Sequence, residues 1–130
     1  IAIGGKNSLK CEIYHKNPNK WRILPELTEE RYGACLLSDD KNDSVYCFGG
    51  YNSTKKSFCK DLIKLNLKSG LEWESIELKN NSTLIQRSFH AIIKSSNKDM
   101  IYLIGGKIKN KDCSDDIVEF DTVTKNATLL

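Results

Sequence analysis

Short apolar runs separated by polar turns set the rhythm of this chain: IAI at its start, then ACLL, VYCF, DLIKLNL, HAII and IYLI. None holds the 3.6-residue period of an amphipathic helix, so strands are predicted throughout. In the best-defined stretch the pattern predicts four strands, over 32–37, 45–48, 62–67 and 73–78. The whole chain reads as about eleven short strands by the same criterion. VYCF and IYLI are apolar at every position. A strand with one wet face alternates, whereas one covered on both faces does not. Both runs are therefore expected to lie between two layers. The segment WESIEL mixes in charge, as an element near solvent should.

The pattern repeats. Three of the apolar runs end in a glycine pair, Gly4–Gly5, Gly49–Gly50 and Gly105–Gly106, so the first glycines are 45 and 56 residues apart. Arg31 opens RYGACLL and Arg87 opens RSFHAII, and each stands 18 residues before the first glycine of its pair. After the pairs come the related segments EIY (12–14), DLIKLNL (61–67) and EFD (119–121). A tryptophan follows in two of the three units, Trp21 and Trp73. Glycine reaches positive φ without a Cβ clash and admits close backbone approach, so the pairs read as structural.

This ordered set resembles the kelch repeat, in which a strand ends in Gly-Gly, an aromatic-containing strand and a turn follow, and Trp opens the last strand. The resemblance covers essentially the whole chain. It implies an all-β fold, a kelch-type β-propeller segment of four-stranded antiparallel blades. About two and three-quarter blades are expected, not a closed propeller. The units run over 1–27 (three strands), 28–79 and 80–130. Trp21 and Trp73 are expected to pack between blades. The chain departs from the kelch pattern at Ala127, where Trp is expected, at Leu65, where Tyr or Phe is usual, and in the first unit, which lacks its first strand.

Composition alters this picture little. At 39% hydrophobic and 28% charged it is ordinary for a globular protein, and 130 residues make one domain or less. The chain opens at Ile1 in strand-like sequence without an initiator Met, which reads as a piece of something longer. No apolar run approaches the ~20 residues of a membrane helix, and no basic-then-apolar signal segment leads the chain. The net charge is +3, with lysines scattered among acidic residues. That favours solubility over a nucleic-acid surface. The tightest basic cluster, Lys107, Lys109 and Lys111, reads as a solvated loop. The cysteines, Cys11, Cys35, Cys47, Cys59 and Cys113, are odd in number and form no C-x-x-C pair. This argues against a disulfide framework and a structural zinc site, and for a reducing compartment, the cytoplasm. The N-x-S/T sequences at Asn52 and Asn126 arise easily in an Asn- and Ser-rich chain.

Catalytic chemistry is sparse. The two histidines are His15, expected in a turn, and His90, expected inside an apolar strand. The acidic pairs Glu29–Glu30, Asp39–Asp40 and Asp115–Asp116 fall in turn-like sequence. Ser53 and Lys56 match S-x-x-K without the helix that motif needs. No phosphate-binding glycine loop and no G-x-S-x-G is present. The chain is expected to be no enzyme and to hold neither metal nor cofactor.

Recognition residues concentrate on loops held by a rigid scaffold. The longer loops here are 51–60 and 107–114 after the glycine pairs, and 26–30 and 79–86 before the arginines. The resemblance to kelch adaptors implies partner contacts at Tyr51, Asn52 and Lys107 and at Arg31 and Arg87. For the two arginines the competing role is to satisfy loop carbonyls. The expected function is a protein–protein interaction module, a substrate-recognition adaptor or scaffold. Adaptors of this family often carry BTB or F-box segments that link to ubiquitin ligases. The alternative is a structural component of a cytoskeletal or ciliary assembly. The expected partner is a protein, not nucleic acid or a membrane. Further blades are expected from the same chain, because this segment alone leaves faces and strand edges bare.

Overall fold

The computed structural model describes residues 1–70, 72–80, 82–96 and 98–130. Asn81, within the predicted loop 79–86, and Leu71, beside WESIEL, lie outside them. Strands form where the apolar runs predict them. The first sheet holds β1 (Ala2–Ile3), β2 (Cys11–His15) and β3 (Lys20–Leu24). Next come β4 (Cys35–Asp39), β5 (Ser44–Phe48), the short hairpin β6 (Tyr51–Asn52) and β7 (Ser57–Phe58), then β8 (Leu62–Asn66) and β9 (Glu74–Ile76). β4, β5, β8 and β9 pair in that order as the second sheet. The third sheet is β10 (Ala91–Lys94), β11 (Met100–Ile104), β12 (Ile117–Asp121) and β13 (Ala127–Leu129), again in chain order. Every pairing is antiparallel. The fold is all-β, an open stack of up-and-down sheets of the kind a propeller segment has.

Local chemistry sets the turns. Asn66 Oδ1 accepts from the backbone N–H groups of Lys68 and Ser69 at 3.0 and 2.9 Å. Asp121 Oδ1 does the same for Val123 and Thr124 at 2.8 and 2.9 Å. These matching side-chain-capped turns reverse the chain between the third and fourth strands of the second and third sheets.

The second sheet is covered on both sides. Val45, Cys47, Ile63, Leu65 and Trp73 pack toward the first sheet, against Cys11, Leu24 and Leu27. Tyr46, Phe48 and Leu62 pack toward the third, against Ile101, Leu103, Val118 and Phe120. Phe48 and Phe120 meet edge-on across that seam at 5.7 Å. All of β5 is buried, as an apolar strand between two layers should be. β11 departs from the expectation. Ile101 and Leu103 are buried against the second sheet, but Ile104 on the opposite face is 42% exposed, because no further sheet covers that face among the described residues.

Strand register explains the tryptophans. Tyr14 pairs with Trp21 and Phe120 with Ala127. Leu65 and Trp73 lie one step beyond the paired Lys64 and Glu74. The three pairs are equivalent, and each looks back toward the preceding sheet. Trp73 is 6% exposed, and its indole N–H donates to Pro25 O of the first-sheet linker at 3.0 Å. Trp21 does not pack between sheets here. It is 52% exposed beside Tyr14, because no described sheet precedes the first. At Ala127 the missing indole volume is taken up by the 3-10 turn Ser82–Ile85, whose Ile85 is fully buried in the same cluster. Asn80 Oδ1 accepts from Ala127 N at 2.8 Å and ties that linker to β13.

Candidate functional site

The glycine pairs and arginines form one repeated stitch. Arg31 Nη1 donates to Gly49 O at 3.1 Å, and Arg87 Nη1 donates to Gly105 O at 2.8 Å. Each side chain thus caps the glycine pair of its own sheet, which accounts for the shared spacing of 18. The arginine backbone reaches the other way: Gly50 N donates to Arg87 O of the next sheet at 2.8 Å. Arg31 also holds Asp61 through its carbonyl, at 3.1 Å, and its carboxylate. Arg87 Nε adds a bond to Leu84 O at 2.9 Å. The arginines are only 2% and 1% exposed. Their role in this structure is internal, and neither presents its guanidinium to a partner.

Beside Arg87, His90 is 5% exposed, and neither ring nitrogen has a hydrogen-bond partner among the described residues. Burial, and then the Arg87 charge, push its pKa down to about 4. The unfolded imidazole, near 6.5, takes up a proton that the folded one refuses. Between those values the unfolded state holds more protons, so stability falls as pH drops from 6.5 toward 4. The expected loss is about 2–3 kcal/mol. Urea unfolding of the protein at pH 7.5 and 4.5, with His90→Leu alongside, measures it. The variant should lose less in acid by about that amount; equal losses would remove His90 from the account.

Beyond the stitch, the chain opens onto one end of the stack. Tyr32 bridges to Tyr51 in the second unit and Ser88 to Lys107 in the third, at equivalent places. Between these bridges lies a groove of about 430 Å³ at the seam of the second and third sheets. Tyr32, Tyr51, Phe58 and Phe89 line it. Their rings meet nearly edge-on: Tyr32–Phe89 at 5.2 Å, Tyr32–Tyr51 at 6.2 Å and Tyr51–Phe58 at 5.1 Å. Lys56, Lys60, Lys107 and Lys109 stand around them, and no acidic side chain lines the groove. Lys107 is paired with Asp112 at 2.8 Å, which holds its pKa above the usual lysine value. Lys56, Lys60 and Lys109 make no ion pair among the described residues.

Phe89 is the unusual one of the four aromatics. It is 60% exposed, and its backbone is left-handed at φ 55°. The matching place in the preceding unit, two residues after Arg31, is Gly33 at φ 68°. The repeat thus demands a left-handed residue there. Glycine meets that demand freely, whereas a side chain costs about 1–2 kcal/mol. Phe89 N donates to Gly33 O at 2.7 Å, and its ring lies where a Cβ on Gly33 would come within 3.0 Å.

Of the residues expected to contact a partner, Tyr51 and Lys107 line this groove, and Arg31, Arg87 and Asn52 do not. Asn52 is 4% exposed, with Nδ2 donating to Glu29 and Oδ1 accepting from Lys55 N. It helps close the neighbouring cleft between the first and second sheets. That cleft is of mixed charge, lined by Glu29, Glu30 and Lys55, with Lys55 paired to Glu29 at 2.7 Å. The Ser53 hydroxyl donates to both Glu30 oxygens and holds that carboxyl below its usual range. In the loop 107–114, Lys111 pairs with Asp115 at 2.5 Å, while Lys109 reaches the groove. Sequence reasoning missed Tyr32, Phe58 and Phe89, although aligning RYG with RSF sets Phe89 against Gly33.

All five cysteines are free. Burial pushes the Cys47 thiol up to about 12 and Cys59 to about 11, so both stay protonated in the core. Among the described residues no group of three His, Cys, Asp or Glu side chains is placed to hold a metal ion. No described helix is long and apolar enough to cross a membrane. No protein-family model matches the chain. The curated proteins contain no match to it either.

Proposed function

We propose that this chain is a segment of a kelch-type propeller that binds a protein partner through the groove between its second and third sheets. It acts as a substrate-recognition adaptor or scaffold in the cytoplasm. The observation that carries the reading is the exposed, strained Phe89 among lysines at the loop end of a rigid stack. Aromatic side chains on such a scaffold are the usual anchors of protein interfaces. The repeat spacing and the arginine–glycine stitch support the propeller part. The bare outer faces of the first and third sheets, with Tyr14, Trp21 and Ile23 on the first and Ile93, Ile104 and Ile117 on the third, are given to further blades of the same chain.

Affinity purification of the intact protein from its own cells, read by mass spectrometry, tests this when a Phe89→Gly, Lys109→Glu variant is run in parallel. A partner held by the wild type and lost from the variant is the expected result. Ubiquitin-ligase subunits in the same eluate establish the adaptor form. Filament components lost from the variant would turn the reading to a cytoskeletal part, and a partner list unchanged by the variant would overturn it.

A further inference from the structure

We infer that the groove takes an acidic peptide segment carrying an aromatic side chain. This deepens the proposed protein-binding role and rests on it. Charge gives the first half. Lys56, Lys60 and Lys109 face one opening with no carboxylate among them, so they present unneutralised charge where a ligand would lie. Such a site draws in and orients a negatively charged segment. The partly neutralised Lys107 lines the same groove.

Phe89 gives the second half. Fold stability does not call for a phenylalanine there, since Gly33 holds the equivalent left-handed position and Phe89 leaves most of its ring in solvent. Strain kept at an exposed aromatic marks a position held for contact. Its ring stands edge-on to Tyr32, which leaves its outer side open toward the groove. An aromatic side chain of a partner covers that surface with favourable offset or edge geometry.

Lysines among aromatics also suit single-stranded nucleic acid. Here the positive stretch is short. The next cleft along the same end of the stack is lined by Glu29, Glu30 and Lys55, with Lys55 held on Glu29 at 2.7 Å, so it offers no free cation to a continuing phosphate backbone. A short acidic peptide fits one short positive stretch, and a tracked strand needs a longer one.

The experiment is selection of a random 12-residue peptide library on the intact protein, in parallel with two exposed-site variants, Phe89→Gly and Lys56→Glu/Lys109→Glu. Phe89→Gly relieves a left-handed backbone and is expected to fold at least as well as the wild type. Thermal unfolding of both variants confirms that they are folded. Enriched peptides should carry several Asp or Glu residues and one aromatic residue. Their binding should weaken at least about tenfold in each variant and fall as salt rises from 50 to 300 mM. Enriched peptides that need Phe89 but are neutral or basic would overturn the acidic-peptide assignment and leave groove binding standing. Peptides indifferent to both variants, or no enrichment at all, would sink both. A labelled thymidine 12-mer that binds more tightly than the selected peptides and displaces them would replace the peptide by nucleic acid.

Discussion

Gly49→Ala is expected to cost the protein about 3 kcal/mol or more, from about 1–2 for the left-handed backbone and 1–3 for steric strain. At φ 64° glycine is free and alanine is not. The added methyl would stand 2.2 Å from Arg87 O, a backbone atom of the next sheet, and 3.2 Å from Ile85 O. Neither can rotate aside. To make room, the third sheet must move off the second and give up the Gly50 N–Arg87 O bond. Gly105→Ala is the natural comparison, because it shares the φ of 64° and its new carbon would meet only Ser114 O of its own unit, at 3.0 Å. That variant carries the same backbone cost with a milder contact. Urea unfolding midpoints of the two measure the difference, and equal losses would show that the second and third sheets are not held at this distance.

Arg31→Ala is expected to lose about 2–4 kcal/mol, about 1–3 for the carbonyls it leaves unpaired and about 1 for the pair with the Asp61 carboxylate, whose side chain is 33% exposed. The guanidinium is 2% exposed and serves Gly49 O, Asp61 O and the Asp61 carboxylate together. Without it, Gly49 O sits in the core without its partner, and Asp61 is left on the flank of the sheet. Arg31→Lys should recover little of the loss, because a single ammonium cannot reproduce the planar fork that meets acceptors in different directions. Denaturant unfolding of the three forms checks both points. A loss under about 1 kcal/mol for Arg31→Ala, the range of surface pairs, would contradict an internal role.

Much of this was legible in the residues, for identifiable reasons. The spacing of 18 between each arginine and its glycine pair is a through-space hydrogen bond written into the sequence. The continuous apolar run VYCF became a strand buried on both faces. IYLI carries the same pattern and is buried on one face only, since burial depends on a neighbour that a strand's own sequence does not describe. Trp21 and Trp73 are alike in repeat position and opposite in exposure for the same reason. The hairpin β6–β7 escaped notice because its two-residue strands sit in the polar stretch NSTKK and its flanks. The groove was half visible. Tyr51 and Lys107 follow glycine pairs, and post-pair loops are where recognition was expected. Lys56 and Lys60 are brought beside Lys109 only by the register between sheets. The importance of Phe89 lies in a backbone angle, which residue type alone does not show.

The most direct test of the binding role replaces Phe89 with the photo-crosslinking analogue p-benzoyl-phenylalanine in the intact protein, in its own cells. The same analogue at Lys98, in the exposed turn at the other end of β10 and β11, serves as the reference. A groove that holds a partner predicts a discrete protein adduct at position 89, absent at 98 and suppressed by an excess of a peptide selected on the wild-type groove. No adduct at 89, or the same adducts from both positions, would contradict the account.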